Sequence, residues 1–370
     1  MNQQYYTVFR GVSFLTLAIA IMLMSLSLLA QESDPPCDVS LNDEMSLTSA
    51  IESAAPGALI CLESGTWSES ILIDKSLTLR GSGSSSSIIL GLRTEPNVIS
   101  VDSDSEIEVA LVGLSIQGSA LDGAGISVRG VAIVTAASLQ VENNGTGISV
   151  QDEAVLLLNA SAIVNNVATS EMTDDDEAIY AGLLASGSAL VEIENSQFEN
   201  DGEFGVLALE SASLKLVDSV LSANLIGVAV VDSADALIDD SRIHRNEEQG
   251  VGFLGHSTGM IRNSLIEENG AATKCQLMGD EPGGEICNGV FFIGTPKVTI
   301  LDSAIESNTD WGIAASIREC GYNENQFFGS VRFEGSNIIA GNNLSGNHDG
   351  NGNPGSHSFQ TASEGQVCLN

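Results

Sequence analysis

Short runs rich in Val, Ile and Leu alternate with Asn, Asp, Ser and Gly along the chain, and no helical period is sustained after an N-terminal apolar stretch. That is the pattern of short strands separated by turns. The pattern also repeats. Gly followed by an aliphatic residue stands at Gly125-Ile126, Gly147-Ile148, Gly182-Leu183, Gly205-Val206, Gly227-Val228, Gly250-Val251, Gly289-Val290 and Gly312-Ile313, at intervals of 22, 35, 23, 22, 23, 39 and 23 residues. A second marker, Asp or Asn followed by Ser, keeps the same step at Asn195-Ser196, Asp218-Ser219, Asp240-Ser241, Asn263-Ser264 and Asp302-Ser303. Imperfect copies stand at Ala160-Ser161 and Gly335-Ser336. Both markers place insertions after Asn166 and after Asn269.

A unit of about 22 residues suits one coil of three short parallel strands, stacked about 4.8 Å from the next coil. Strands then pair between repeats rather than within them. The aliphatic residue after each Gly points inward and stacks on its equivalents. A buried Asn in each turn bonds to backbone and to the Asn of the next coil, with Asn143, Asn200, Asn224, Asn246, Asn269 and Asn308 as candidates. The Leu-x-x-Leu-x-Leu pattern of leucine-rich repeats is absent, and propeller blades need longer units. The expected fold is therefore all-β, a single-stranded right-handed parallel β-helix. It spans residues 46–345, with insertions near 167–181 and 270–288. Residues 31–45 form a linker and the start of the N-terminal cap. Bare sheet edges invite aggregation, so caps are expected: a helix over 46–56 and a C-terminal tail over 346–370.

The stretch 46–83 carries Pro56-Gly57, Gly65-Thr66-Trp67 and Leu77-Thr78-Leu79-Arg80-Gly81 after that helix. In this order it resembles the N-terminal segment of the pectin-lyase-like β-helix superfamily. With the repeats, the resemblance covers roughly residues 37–345. It implies a fold and leaves activity open, because that superfamily includes lyases, hydrolases, esterases, epimerases and members with no demonstrated chemistry.

The apolar run Val12 to Ala30, after a short polar segment with Arg10, has the layout of a secretory signal peptide over residues 1–30. An uncleaved anchor is the alternative, since the run is just long enough to span a bilayer. Either way the rest is exported: secreted, periplasmic or on the cell surface. Membrane contact, if any, is through that segment alone. Six cysteines, Cys37, Cys61, Cys275, Cys287, Cys320 and Cys368, follow the leader, an even number that favours disulfides over a metal site. Fifteen pairings are possible; proximity favours Cys37–Cys61, Cys275–Cys287 and Cys320–Cys368.

The balance of 49 acidic against 13 basic residues gives a formal charge of −36. Such a chain repels nucleic acid and anionic membrane. It argues more weakly against an anionic polysaccharide, unless calcium bridges the two. The acidic stretch Glu171 to Glu177 is the one place dense in hard oxygen ligands, but it lacks the spacing of a calcium loop. That stretch is a candidate for calcium, and otherwise no cofactor is expected.

Catalytic chemistry is hard to place. Two residues after each Gly, the outward row reads Ser149, Leu184, Leu207, Ala229, Gly252, Phe291 and Ala314, with no titratable group. Fragments of a polygalacturonase-like pattern occur at Asp239-Asp240, Arg242-Ile243, Gly255-His256 and Asn308-Thr309-Asp310, in the wrong chain order. Glu203, Glu248 and Asp310 recur two residues before Gly, two coils apart. Their spacing of about 9–10 Å touches the upper end for an inverting carboxylate pair. The histidines, His244, His256, His348 and His357, read as solvated turn and tail residues. Tyr180, Phe204, Phe291 and Trp311 form a sparse candidate platform for stacking sugar rings along one side. No catalytic or metal-binding residue is assigned. The leading reading is a non-catalytic surface or binding module with carbohydrate as the candidate ligand. The alternative is a polysaccharide lyase or glycoside hydrolase of the same fold.

Overall fold

A computed structural model describes residues 35–166, 179–271, 287–309, 311–315 and 329–342, with short strands at 362–363 and 368–369. The leader, the acidic stretch Glu171 to Glu177, Asp310, Cys275, Cys320, His348 and His357 lie outside the described residues. Each coil contributes one strand to each of three sheets, as in Thr146–Val150, Val155–Asn159 and Ala162–Val164. We term these the first, second and third sheets. They hold 11, 13 and 11 strands, and a strand pairs with its equivalents in the coils before and after it. Pairing is parallel except at the C-terminal end. There Cys368–Leu369 and Ala362–Ser363 run antiparallel to the last strands of the first and second sheets.

The repeated Gly begins the first-sheet strand, as the spacing predicts. The next residues, Ile126, Ile148, Leu183, Val206, Val228, Val251, Val290 and Ile313, are in register and wholly buried. The Gly itself is set by close approach rather than by backbone angle. A Cβ on Gly227 would lie 2.6 Å from the Gly250 carbonyl oxygen and 2.8 Å from the Asn246 side-chain nitrogen.

Each corner of the coil turns through one residue with positive φ. Asn195, Asp218, Asp240, Asn263 and Asp302 do so between the second and third sheets, with φ of 46–50°. Asn and Asp tolerate this region better than other side chains. The serine that follows each is the rung of a ladder. Ser219 Oγ donates to the Val217 carbonyl (2.8 Å) and accepts the N–H of Ser196 (3.1 Å), and the same pair of bonds recurs along the column to Ser303. At the last coil the rung is Asn337 rather than Ser336, its Oδ1 accepting from Ser303 N–H.

The corner between the third and first sheets holds the expected asparagine ladder, with two corrections and two further rungs, Asn166 and Asn342. Asn143 and Asn200 adopt φ of 57° and turn the corner. The rungs are the residues that follow them, Asn144 and Asp201, both buried. The full described column is Asn144, Asn166, Asp201, Asn224, Asn246, Asn269, Asn308 and Asn342.

The capping helix α1 is Leu47–Ser53, shorter than expected. Ala54 is extended and closes the helix, its N–H donating to the Ala50 carbonyl, and the chain turns at Pro56. α1 buries Leu47, Ala50 and Ile51. Its N-terminus is closed from a distance: Glu69 accepts the N–H groups of Leu47 and Thr48, both at 2.9 Å, and the Ser46 hydroxyl. Burial pushes the Glu69 carboxyl up, but these bonds outweigh it and hold the group below the usual carboxylate range. Cys37 and Cys61 are joined by a disulfide beside this cap. Cys287 is also disulfide-bonded.

Candidate functional site

The outward row of the first sheet lies where the repeat places it, with Ser149, Leu184, Leu207, Ala229, Gly252, Phe291 and Ala314 in register. It carries no titratable group, and it is not an open groove. Ser149, Leu207, Ala229, Phe291 and Ala314 are all buried, although they face away from the main core. Phe291, Trp311 and Ala314 form a separate apolar cluster with Ile293 against it. Of the four candidate stacking aromatics, Tyr180, Phe291 and Trp311 are 5%, 2% and 6% exposed. Phe204 alone keeps partial exposure. As the side chains stand, three of the four are packed rather than presented to a ring.

Titratable groups gather instead around the ladder corner. In the third sheet the middle residue of each strand points inward: Phe198, Leu221, Ile243, Ile266 and Ile305. The flanking positions therefore face out. One such column reads Glu199, Ser222, His244, Glu267 and Glu306. His244 thus ends a strand, Arg242–His244, and is half-buried; it is not a solvated turn residue. Its Nδ1 is buried with no hydrogen-bond partner among the described residues. Burial lowers its pKa, and the flanking Arg242 and Arg245 lower it further against the opposing pull of Glu267 and Glu268. The neutral imidazole is favoured.

Those arginines are themselves committed. Arg242 donates to Glu267 Oε1 from Nε (2.8 Å) and Nη2 (2.5 Å), and Arg245 Nε pairs with Glu268 at 2.6 Å. On the adjoining second sheet Arg262 pairs with Asp239, which also accepts from Asn263 Nδ2 at 3.2 Å. The Arg262 bond holds the Asp239 carboxyl below its usual range, and the Arg245 bond does the same for Glu268. Each pair bridges neighbouring coils, so the charges brace the stack.

Across the corner, Glu203 and Glu248 lie two coils apart in one column, with Leu225 between them. The strand spacing separates their backbones by about 9–10 Å. Burial raises the Glu203 carboxyl, against a hydrogen bond from the Tyr180 backbone. A carboxyl whose pKa is raised is a candidate proton donor, and perturbed groups clustered at one corner mark a place to look for function. Structural ion-pair lattices perturb the same groups. Among the described residues, no group of three or more His, Cys, Asp or Glu is placed to hold a metal ion. His256 is exposed, its Nδ1 against Thr295 Oγ1.

Two features of this corner escape a reading by composition. His244 has the strand position of Ser222 and Glu267, which only the register shows. Asp201 is a rung because it follows Asn166 and precedes Asn224 at the ladder interval, a signal present in the spacing.

A family model described as the right handed beta helix region matches residues 124–284. Among solved structures, ORF18 of Geobacillus virus E2 is similar over 91% of this chain and 67% of its own, with 11% identity and a TM-score of 0.56. The A-module of the mannuronan C-5 epimerase AlgE4 from Azotobacter vinelandii covers 80% of this chain and 92% of its own, with 15% identity and a TM-score of 0.47. The catalytic domain of a GH87 α-1,3-glucanase covers 85% and 67%, with 12% identity and a TM-score of 0.46. At such identities the likeness is one of fold. No curated protein matches the chain at a significant level. The three parallel sheets and the family match together show a right-handed parallel β-helix.

Proposed function

We propose that the chain is an exported, non-catalytic β-helix module that binds a glycan along the outward polar face of the third sheet. The observation that carries this reading is the state of the two candidate faces. The first-sheet row is buried and lacks a titratable group, whereas the third-sheet face is polar and its arginines are held in coil-to-coil ion pairs. Gln117, Gln140, Glu142, Gln197 and Glu199 extend that face, linked by side-chain hydrogen bonds such as Gln117 Nε2 to Glu142 Oε1 at 2.9 Å. Amides and carboxylates in line suit sugar hydroxyls, and Phe204 offers an apolar edge near the corner. The charge of −36 argues against nucleic acid and against anionic polysaccharide. Export is supported by the Cys37–Cys61 disulfide. Among the described residues no helix is long and apolar enough to cross a membrane.

The second reading, a polysaccharide lyase or glycoside hydrolase, is favoured by the raised carboxyl of Glu203 two coils from Glu248. A glycan array, followed by reducing-sugar and unsaturated-product assays on every glycan bound, separates the two. Arms with calcium and with chelator test for a metal. Binding without turnover is the expected result. Turnover that disappears in Glu248→Ala would replace the binding reading with the enzymatic one.

A further inference from the structure

From Asn144 to Asn342 every described rung of the buried ladder is an asparagine except one. In the regular rungs the side-chain oxygen accepts from the previous rung, while Nδ2 donates to the carbonyl of the central strand residue one coil back. Asn166 donates in this way to Val141 (2.9 Å), Asn246 to Leu221 (3.4 Å) and Asn269 to Ile243 (3.1 Å). Asp201 keeps the acceptor half of the pattern. Its Oδ1 accepts Asn166 N–H at 3.0 Å and Asn166 Nδ2 at 2.9 Å, and its own N–H donates to Asn224 Oδ1 at 2.9 Å. Its Oδ2 stands where the other rungs carry the donating nitrogen. That atom is buried and has no hydrogen-bond partner among the described residues. Val141, Ile163 and Phe198 are in register, so the carbonyl in the receiving place is that of Ile163.

We infer that Asp201 is carried as an uncharged carboxylic acid whose Oδ2–H donates to the Ile163 carbonyl, so that the ladder contains one proton-dependent rung. An ionised Asp201 would set a carboxylate oxygen against a carbonyl oxygen in a site with no water-facing surface, which is costly. Its surroundings reinforce the neutral form. Burial raises the carboxyl well above its ordinary range, opposed by the Asn166 bonds and the Glu199 backbone and assisted by the charge of Glu199. On its own coil the titratable neighbours are Glu199 and Glu203, both acids. The adjoining coils present Asn166, Gly182 and Asn224, with Tyr180 at the head of the Gly182 strand. None of these supplies a positive charge.

The linkage has a definite sign. An aspartate in the unfolded chain titrates near pH 4, roughly. The folded state keeps the proton to higher pH. The stability that this rung contributes is therefore complete below about pH 4 and is lost as pH rises toward the folded pKa. Asparagine at this position carries the donor at every pH.

Urea unfolding of the full chain, wild type against D201N, from pH 4 to pH 8 tests this. The ratio of the wild-type to the D201N unfolding constant is expected to rise about tenfold per pH unit until the folded group titrates. A ratio that stays flat over that range, or a D201N protein less stable than wild type at pH 8, overturns the inference. Infrared spectra of wild-type protein with carbon-13-labelled aspartate give a second readout that does not depend on the variant folding. A protonated carboxyl band at pH 7 is expected. A spectrum showing ionised aspartate alone overturns the inference.

Discussion

Two corners of each coil are stitched by side chains, one by serine hydroxyls and one by asparagine amides, and the two ladders differ in what they demand. A serine rung serves itself and one neighbour: Ser219 donates within its own coil and accepts a single N–H from Ser196. An asparagine rung joins three coils. Asn246 Oδ1 accepts both the N–H and the Nδ2 of Asn224, and its Nδ2 donates back to Leu221 and on to Asn269 Oδ1. A hydroxyl rotates to suit its partners, whereas an amide has a fixed end that only donates and a fixed end that only accepts. The serine column therefore accommodates Asn337 at its end. The asparagine column accommodates Asp201 only if a proton restores the missing donor. Fixed polarity makes the stronger stitch and the less forgiving one.

Breaking the amide column in its regular part is expected to have the largest effect. Asn246→Ala leaves Asn224 N–H buried without a partner, and leaves the Leu221 carbonyl, Asn224 Nδ2 and Asn269 Oδ1 each short of one bond. At about 1–3 kcal/mol for the orphaned donor and about 0.5–1.5 kcal/mol for each bond lost, the expected loss is about 4 kcal/mol, read from the urea midpoint at constant slope. A loss below about 1 kcal/mol would show that water enters the corner and that the ladder is not dry.

The serine column sets the scale below it. Ser219→Ala orphans one buried donor, the N–H of Ser196, and leaves the Val217 carbonyl short of one bond. The expected loss is about 2 kcal/mol. A loss as large as that of Asn246→Ala would erase the distinction between the two corners.

How much of this was open to a reader of the sequence follows from the same contrast. The serine column is legible because one residue must turn with positive φ and the next must carry a hydroxyl, so Asp218-Ser219 and Asn263-Ser264 show as a repeated pair. The inward column from Ile126 to Ile313 is legible because close packing at the preceding Gly excludes any side chain. The asparagine column is legible only where a single Asn or Asp is present. At Asn224, Asn246, Asn269 and Asn308 the preceding residue is Ala, Arg, Glu or Ser, and the rung is unambiguous. At Asn143-Asn144 and Asn200-Asp201 either residue suits either place, and the reading slips by one. His244 is hidden for another reason, since a three-residue strand between turns looks like part of a turn. The burial of Tyr180, Phe291 and Trp311 depends on tertiary contacts that a strand pattern does not encode.

The third corner, between the first and second sheets, gives the smallest expected effect and the sharpest control. It too turns through positive φ, at Asp152, Glu210 and Asp232, and its carboxylates reach from coil to coil. Glu210 Oε2 accepts Gly187 N–H at 2.7 Å, and Asp232 Oδ2 accepts Glu210 N–H at 3.3 Å. The geometry resembles a rung, but the site is exposed, and water can replace either partner. Glu210→Gln is expected to change the urea midpoint by no more than about 0.5 kcal/mol in equivalent stability. A loss approaching that of Ser219→Ala would mean that coil-to-coil geometry, rather than exclusion of water, gives the buried ladders their strength.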